Sequence, residues 1–219
     1  MTAKQLILFD LDGTLIDSAG DLHHAVNLML AAFGRAPLTL AQVIGMIGNG
    51  VPTLVARALA AGAGASVEHD AAMTRFNAAY DADPTTLTRT YPGVETTLDR
   101  LAAAGCVLAV CTNKHEESAR HILAELGLAR HFRHLIGGDS LPVRKPDPRV
   151  LTMTLATLGL APADAVMVGD SEVDAATAEA AGVDFVLMTY GYHHGPVEAI
   201  PARDRLDDFA DLVPLLGRY

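Results

Sequence analysis

Short apolar runs at 6–9, 107–111, 135–136, 166–168 and 185–188 punctuate this chain, and helical patterns at 115–126, 148–158 and 173–181 fill the gaps between the last four. Such runs read as strands buried on both faces, and parallel strands need crossovers of a dozen or more residues, which the helical patterns supply. The rhythm predicts an α/β chain with a Rossmann-like parallel sheet covered on both sides. It breaks between Asp17 and about Arg89. There the periodicity gives only helices, at 19–33, 39–46, 51–61 and 68–82, separated by Gly34, by Gly48 to Gly50 and by the glycine-alanine stretch 62–65. The expectation is an all-helical cap at 17–89 inserted after the first strand, with a discontinuous core at 1–16 and 90–219. Tyr91-Pro92-Gly93 marks the return to the sheet.

Composition excludes several classes. Half of the 219 residues are apolar, enough to bury a core and a second small domain, so disorder is not expected. Lys and Arg number 16 against 26 Asp and Glu, a net charge of −10 that disfavours a nucleic-acid partner. Cys106 and Cys111 do not make a disulfide framework, and Cys111 lies in a strand-like run, as expected of buried thiols in a reducing compartment. No basic and apolar leader precedes Asp10, and no apolar stretch approaches the roughly 20 residues needed to cross a bilayer. A cytoplasmic protein with no membrane partner, monomeric or homodimeric, is the expectation.

The chemistry concentrates where strands end. Asp10-Leu11-Asp12-Gly13-Thr14-Leu15 follows the first apolar run. Alternation along an extended segment lets Asp10 and Asp12 reach one pocket, and Gly13 lets the backbone turn tightly beneath a ligand. Thr112-Asn113 leaves a strand and enters a helix, offering a hydroxyl and backbone N–H groups suited to an oxyanion as well as to an N-cap. Lys145-Pro146-Asp147-Pro148 fixes a lysine on a stiff approach to a helix. Gly169-Asp170-Ser171, with Asp174 a helical turn later, sets two acids where a hard divalent cation or a helix N-terminus would favour them. In open parallel sheets the pocket lies beyond the carboxyl ends of the strands, so four segments spread over 160 residues converge. Their inventory suits magnesium-assisted phosphoryl transfer through an aspartyl phosphate.

With Asp17-Ser18 and Glu172-Val173 these motifs resemble the phosphatase branch of the haloacid dehalogenase superfamily, over almost the whole chain. Within it, Ile47-Gly48-Asn49-Gly50-Val51-Pro52 through Arg57-Ala58-Leu59 and Tyr190-Gly191-Tyr192 are similar to bacterial phosphoglycolate phosphatases. The resemblance implies that Asp10 is the nucleophile and that Asp10, the Asp12 main-chain carbonyl and Asp170 hold Mg²⁺. It implies that Asp12 is the general acid and base, that Thr112, the Asn113 N–H and Lys145 bind the transferring oxygens, and that Asp174 supports the metal or the lysine. The implied partner is a small phosphorylated metabolite, 2-phosphoglycolate before others. Gly48, Asn49 and Gly50, with Arg57 a possible charge beside them, are the cap residues expected to face it. A pyrophosphatase or broad small-metabolite phosphatase, a phosphosugar mutase and a non-catalytic interaction protein are the alternatives, in that order. Among the histidines, His23 and His24 are expected in capping or surface roles, His131 and His134 lack a third zinc ligand nearby, and His193-His194 belongs in an exposed loop.

Overall fold

The computed structural model describes residues 4–62, 64–82 and 84–217. Strands β1 (Leu6–Phe9), β4 (Val107–Cys111), β5 (His134–Ile136), β6 (Ala165–Gly169), β7 (Asp184–Met188) and β8 (Asp204–Leu206) form one six-stranded sheet in the order β5-β4-β1-β6-β7-β8. Every pairing in it is parallel. The crossovers are α5 (Val94–Ala103), α6 (Glu116–Glu125), α7 (Arg149–Leu158) and α8 (Glu172–Ala181), and α9 (Leu212–Leu216) closes the described chain. The central strand β1 is fully buried, and its residues alternate between two cores. Ile7 and Phe9 face one containing Val94, Leu98, Ile122 and Leu212, whereas Leu6 and Leu8 face another with Val150, Leu151, Ala175 and Ala178. Each such large side chain contributes about 1.5–3 kcal/mol by leaving water. Phe9 packs between Phe132 and Phe209, with ring centroids 6.2 and 5.8 Å away.

Two short strands missing from the sequence reading, β2 (Ile16–Asp17) and β3 (Arg89–Thr90), pair antiparallel where the chain leaves the core and returns. Two-residue ladders carry no periodicity for a sequence to show. Between them lies the helical cap: α1 (Ala19–Ala32), α2 (Leu40–Ile44), α3 (Val51–Ala61) and α4 (His69–Asp81). Its interior is a continuation of the Phe9 core, through Leu22, Val26, Met29, Leu54, Val55 and Phe76. Helix α2 is shorter than the pattern 39–46 because the Thr39–Gln42 capping box starts it and Gly45 ends it. His23 and Asn27 on α1 both contact the Leu38 carbonyl, at 2.9 and 3.0 Å, so His23 caps the link into α2. Arg35 donates to the carbonyls of Leu59, Gly62 and Ala65, closing the far end of α3 onto the α1–α2 link. Asp21 accepts from the backbone N–H groups of Leu87 and Thr88 and from the Thr88 hydroxyl, pinning the returning segment to α1.

Cys106 and Cys111 are free thiols, and burial pushes Cys111 up to about 12. Among the described residues no helix is long and apolar enough to cross a membrane.

Candidate active site

The first side chain past β1 is Asp10, whose backbone N–H bonds to the Val168 carbonyl of the neighbouring strand at 2.9 Å and so extends the sheet by one residue. Its carboxylate accepts from the Leu11 N–H at 2.7 Å and lies 2.9 Å from the Lys145 ammonium. Lys145 also bonds Asp174 at 2.6 Å, with its own side chain only 1% exposed and that of Asp174 fully buried. Removing one member of so buried a group would cost about 3–5 kcal/mol, because a charge would be left unanswered. Burial disfavours the Lys145 charge, yet Asp10 and Asp174 together outweigh it and raise the lysine above its ordinary range.

Asp170 ends β6 and faces the same point. Its two oxygens are fixed separately, one by the Thr14 hydroxyl at 2.7 Å and the other by the Tyr192 N–H at 2.6 Å. It is wedged between two glycine backbones. A Cβ on Gly13 would lie 2.2 Å from an Asp170 oxygen and one on Gly191 would lie 2.2 Å from the Asp170 Cβ; Gly13 also has φ +87°. Ligand atoms of Asp10, Asp170 and Asp174 lie within 4.8 Å of one another, and all three residues are buried. Desolvation, opposed by Lys145 and reinforced by Asp174, raises Asp10 to about 6, and desolvation with Asp174 and Asp10 raises Asp170 well above the carboxylate range. Three buried carboxylates around a single ammonium form a deficit of positive charge, and oxygen donors of this kind fit a hard divalent cation. Asp174 is the least free to bind one: Lys145 takes one oxygen, and the Ser171 hydroxyl at 2.7 Å and the Asp170 and Ser171 N–H groups take the other.

Asp12 lines the same cavity as Asp10, with a different set of partners. The Ser18 hydroxyl donates to it at 2.6 Å, and Lys114 lies 3.1 and 3.2 Å from its two oxygens. Lys114 is buried and sits over the Tyr80 ring of α4, with its ammonium 4.8 Å from the centroid. Burial opposes its charge, but Asp12 prevails and raises its pKa. Thr112 and Asn113 complete the floor; Thr112 Oγ accepts from the Lys114 N–H at 3.2 Å. The Asn113 amide donates to the carbonyls of Lys145 and of Gly48 in the cap, each at 3.1 Å, and its buried Oδ1 has no hydrogen-bond partner. The cavity is narrow, lined by Asp10, Asp12, Thr112, Asn113 and Lys114 below and by apolar cap residues with Gly48 and Gly50 above.

The core residues singled out from the sequence thus converge, and the cap residues divide. Gly48 and Gly50 line the cavity. Asn49 and Arg57 instead bind each other at 2.8 Å, and Arg57 also holds the Met46 carbonyl at 3.0 Å, so its charge braces the loop from behind. Lys114 and the Tyr192 hydroxyl are the contributions the sequence reading missed. Tyr192 donates to Asp17 at 2.5 Å and accepts from the Ser18 and Ala19 N–H groups at 2.9 and 3.1 Å, which fastens the loop beside Asp170 to the start of α1. A signal for Lys114 existed, since in the run Thr112-Asn113-Lys114 it stands two positions after Thr112. His131 packs against Phe132 and His193 bonds the Gly195 carbonyl; neither belongs to a metal-competent group among the described residues.

Comparison with known proteins agrees with this geometry. The sequence signature described as haloacid dehalogenase-like hydrolase matches residues 7–188. A phosphoglycolate phosphatase of Cereibacter sphaeroides is 51% identical over 215 residues, covering 97% of each chain. Phosphoglycolate phosphatase 1 of Pseudomonas aeruginosa is 46% identical over 219 aligned positions, covering 96% of this chain and 79% of its own. The crystal structure of a predicted phosphoglycolate phosphatase from Haemophilus somnus superposes with a TM-score of 0.93 at 35% identity, over 98% of this chain and 99% of that one.

Proposed function

The chain belongs to the haloacid dehalogenase-like hydrolases, and we propose that within that family it is a Mg²⁺-dependent phosphatase that releases phosphate from 2-phosphoglycolate through an aspartyl phosphate on Asp10. The observation that carries the reading is the split of two acids two residues apart. Both line the cavity, but Asp10 is held by Lys145 of the buried cluster and Asp12 by Ser18 and Lys114. Phosphoryl transfer needs that split, a nucleophile on one side of phosphorus and a proton donor on the other. The substrate itself is suggested by what the relatives are named for.

In this reading Asp10 attacks with an oxygen oriented by the Leu11 N–H and by Lys145. Thr112, the Asn113 N–H and Lys145 receive the oxygens of the transferring group. Asp12, which must carry a proton once substrate is bound, gives it to the departing alkoxide of glycolate and then, as the carboxylate, takes one from the water that hydrolyses the acyl phosphate. Asp10 and Asp170, with the Asp12 main-chain carbonyl, would hold Mg²⁺, and Thr14 and Tyr192 keep Asp170 turned toward it. When bound, the cation supplies the positive charge that lets an anionic nucleophile approach a phosphate dianion. Asp174 positions Lys145 and the turn at Ser171. We divide the chain at 1–16 with 90–219 for this chemistry and 17–89 for a cap that excludes water and shapes the pocket. The expected cellular setting is the cytoplasm.

The test is phosphate release, with Mg²⁺, from 2-phosphoglycolate, β-glucose 1-phosphate and pyrophosphate. Highest kcat/KM on 2-phosphoglycolate is expected. Interconversion of the sugar phosphate in place of net phosphate release would mean a mutase, and pyrophosphate as best substrate would displace the glycolate reading.

A further inference from the structure

We propose that Lys114 is the specificity-determining residue that recognises the carboxylate of the substrate, at the end of the molecule that is not transferred. The inference rests on the phosphoglycolate reading and adds to it the residue that reads the acid.

A dianionic phosphate and a carboxylate need separate counter-charges. Lys145 is committed to the phosphate end, because it lies between Asp10 and Asp174 beneath the nucleophile. Among the described residues the cap offers no charge to the cavity: its lining residues are Leu22, Ile47, Val51 and Leu54 with Gly48 and Gly50. Arg57, the cation nearest in sequence to that loop, is bound to Asn49 and the Met46 carbonyl. Lys114 is the one cation among the described residues that line the cavity. A carboxylate driven against the apolar cap without it would lose its water for nothing.

Position agrees with charge. Lys114 lies 3.1 and 3.2 Å from the two oxygens of Asp12, the group that serves the leaving oxygen. In glycolate the carboxyl carbon is two bonds from that oxygen, so a carboxylate leaving-group end falls beside Asp12 and within reach of its lysine. The Lys114 ammonium is also held over the Tyr80 ring of α4 at 4.8 Å, so the cap sets where the charge sits. The carboxylate then shares an ammonium that Asp12 and the Tyr80 ring hold in the free enzyme.

The experiment compares 2-phosphoglycolate with 2-hydroxyethyl phosphate, which replaces the carboxylate by a neutral hydroxymethyl group, in the full-length enzyme with Mg²⁺. The wild type is expected to favour the acid. Lys114→Met should lower the ratio of kcat/KM values by about 10–100-fold, chiefly through KM for the acid. Lys114→Gln, which keeps a donor toward Asp12, should do the same and protects the test against poor folding of the first variant. Lys114→Arg keeps the charge and should retain more of the preference than either. A lysine that only supports Asp12 or the cap would slow both substrates together, and a ratio that survives in the Met and Gln variants overturns the assignment while leaving the substrate reading intact. A wild type without preference for the acid overturns both. Loss of preference in Lys114→Arg as complete as in Lys114→Gln would show that charge is not what is read, and overturns the assignment too.

Discussion

At the carboxyl end of the sheet, polar side chains answer one another across long stretches of sequence, Thr14 to Asp170 over 156 residues and Lys114 to Asp12 over 102. In the cap most of them answer main-chain carbonyls, over 11 to 30 residues: Arg35 holds three, Asn27 and His23 hold Leu38, and Arg57 holds Met46. The first region is a set of buried charges that compensate each other, so loss of one exposes the rest. The second uses its polar groups to fix the shape of loops, and shape degrades gradually. Substitutions in the two regions should therefore differ in kind as well as in size.

The largest effect belongs to Asp10. Asp10→Asn should fold, as judged by circular dichroism, and lose about 10⁴-fold or more in phosphate release, because an amide cannot form the acyl phosphate. Appreciable turnover by the purified variant would remove the nucleophile from the core and collapse the contrast. Asp12→Asn comes next, with a loss of about 10²–10⁴-fold on 2-phosphoglycolate and a smaller one on an activated aryl phosphate whose leaving group needs no proton. Equal losses on the two esters would argue against leaving-group protonation.

Cation binding should show the charge deficit directly. Asp10 is raised from 3.8 to about 6 and Asp170 is raised as well, chiefly by desolvation. A carboxyl whose folded pKa is raised holds its proton more tightly in the native state. Without a cation, stability should therefore fall as pH rises from near 3.8 through about 6 and beyond. Mg²⁺ gives the ionised carboxylates the counter-charge that burial denies them, so its gain in Tm should be larger near pH 8 than near pH 5, reaching roughly 5–10 °C at about 100 times its Kd. Thermal unfolding with Mg²⁺ and with chelator at both pH values measures this, and equal gains at the two would contradict the electrostatic account. The smallest effect on catalysis is expected at Arg35. Arg35→Ala should cost about 1–2 kcal/mol in denaturant unfolding while kcat on 2-phosphoglycolate stays within about threefold. A collapse of activity there would mean that cap shape and core charge are not separable.

How much of this was legible depended on burial. Strands β1, β4, β6 and β7 read as apolar runs because both faces are covered, whereas β8 is the edge strand Asp-Arg-Leu, only partly buried and without a run to detect. Helix α5 lies outside the helical patterns read from the sequence, although Val94, Leu98 and Leu101 do stand at helical spacing on its buried face. Asp10, Thr112 and Asp170 were legible because each closes an apolar run, and the fold rule then places them together. Orientation was not. Asn49 and Arg57 look inviting as polar residues in a glycine loop, but whether they face a ligand or each other is decided by α3, which carries Arg57 back behind the loop. Lys114 is the converse case, a lysine in a region of many polar residues that only the packing of α4 against the core makes a buried partner of Asp12.

The Gly191-Tyr192 loop has one hand on Asp170 and the other on the root of the cap, through the Tyr192 N–H and its hydroxyl. A contact that touches both sites is a route for coupling, and any such coupling is reciprocal. If cation binding at Asp170 and ligand binding under the cap are coupled through this loop, each must strengthen the other by the same factor. Titrating Mg²⁺ in the presence and absence of saturating glycolate reads that factor, and Tyr192→Phe, which keeps the N–H and removes the hydroxyl, should bring it toward one. Tyr192 thus touches both the carboxylate cluster and the hinge of the cap, and its hydroxyl is the atom whose removal should uncouple them.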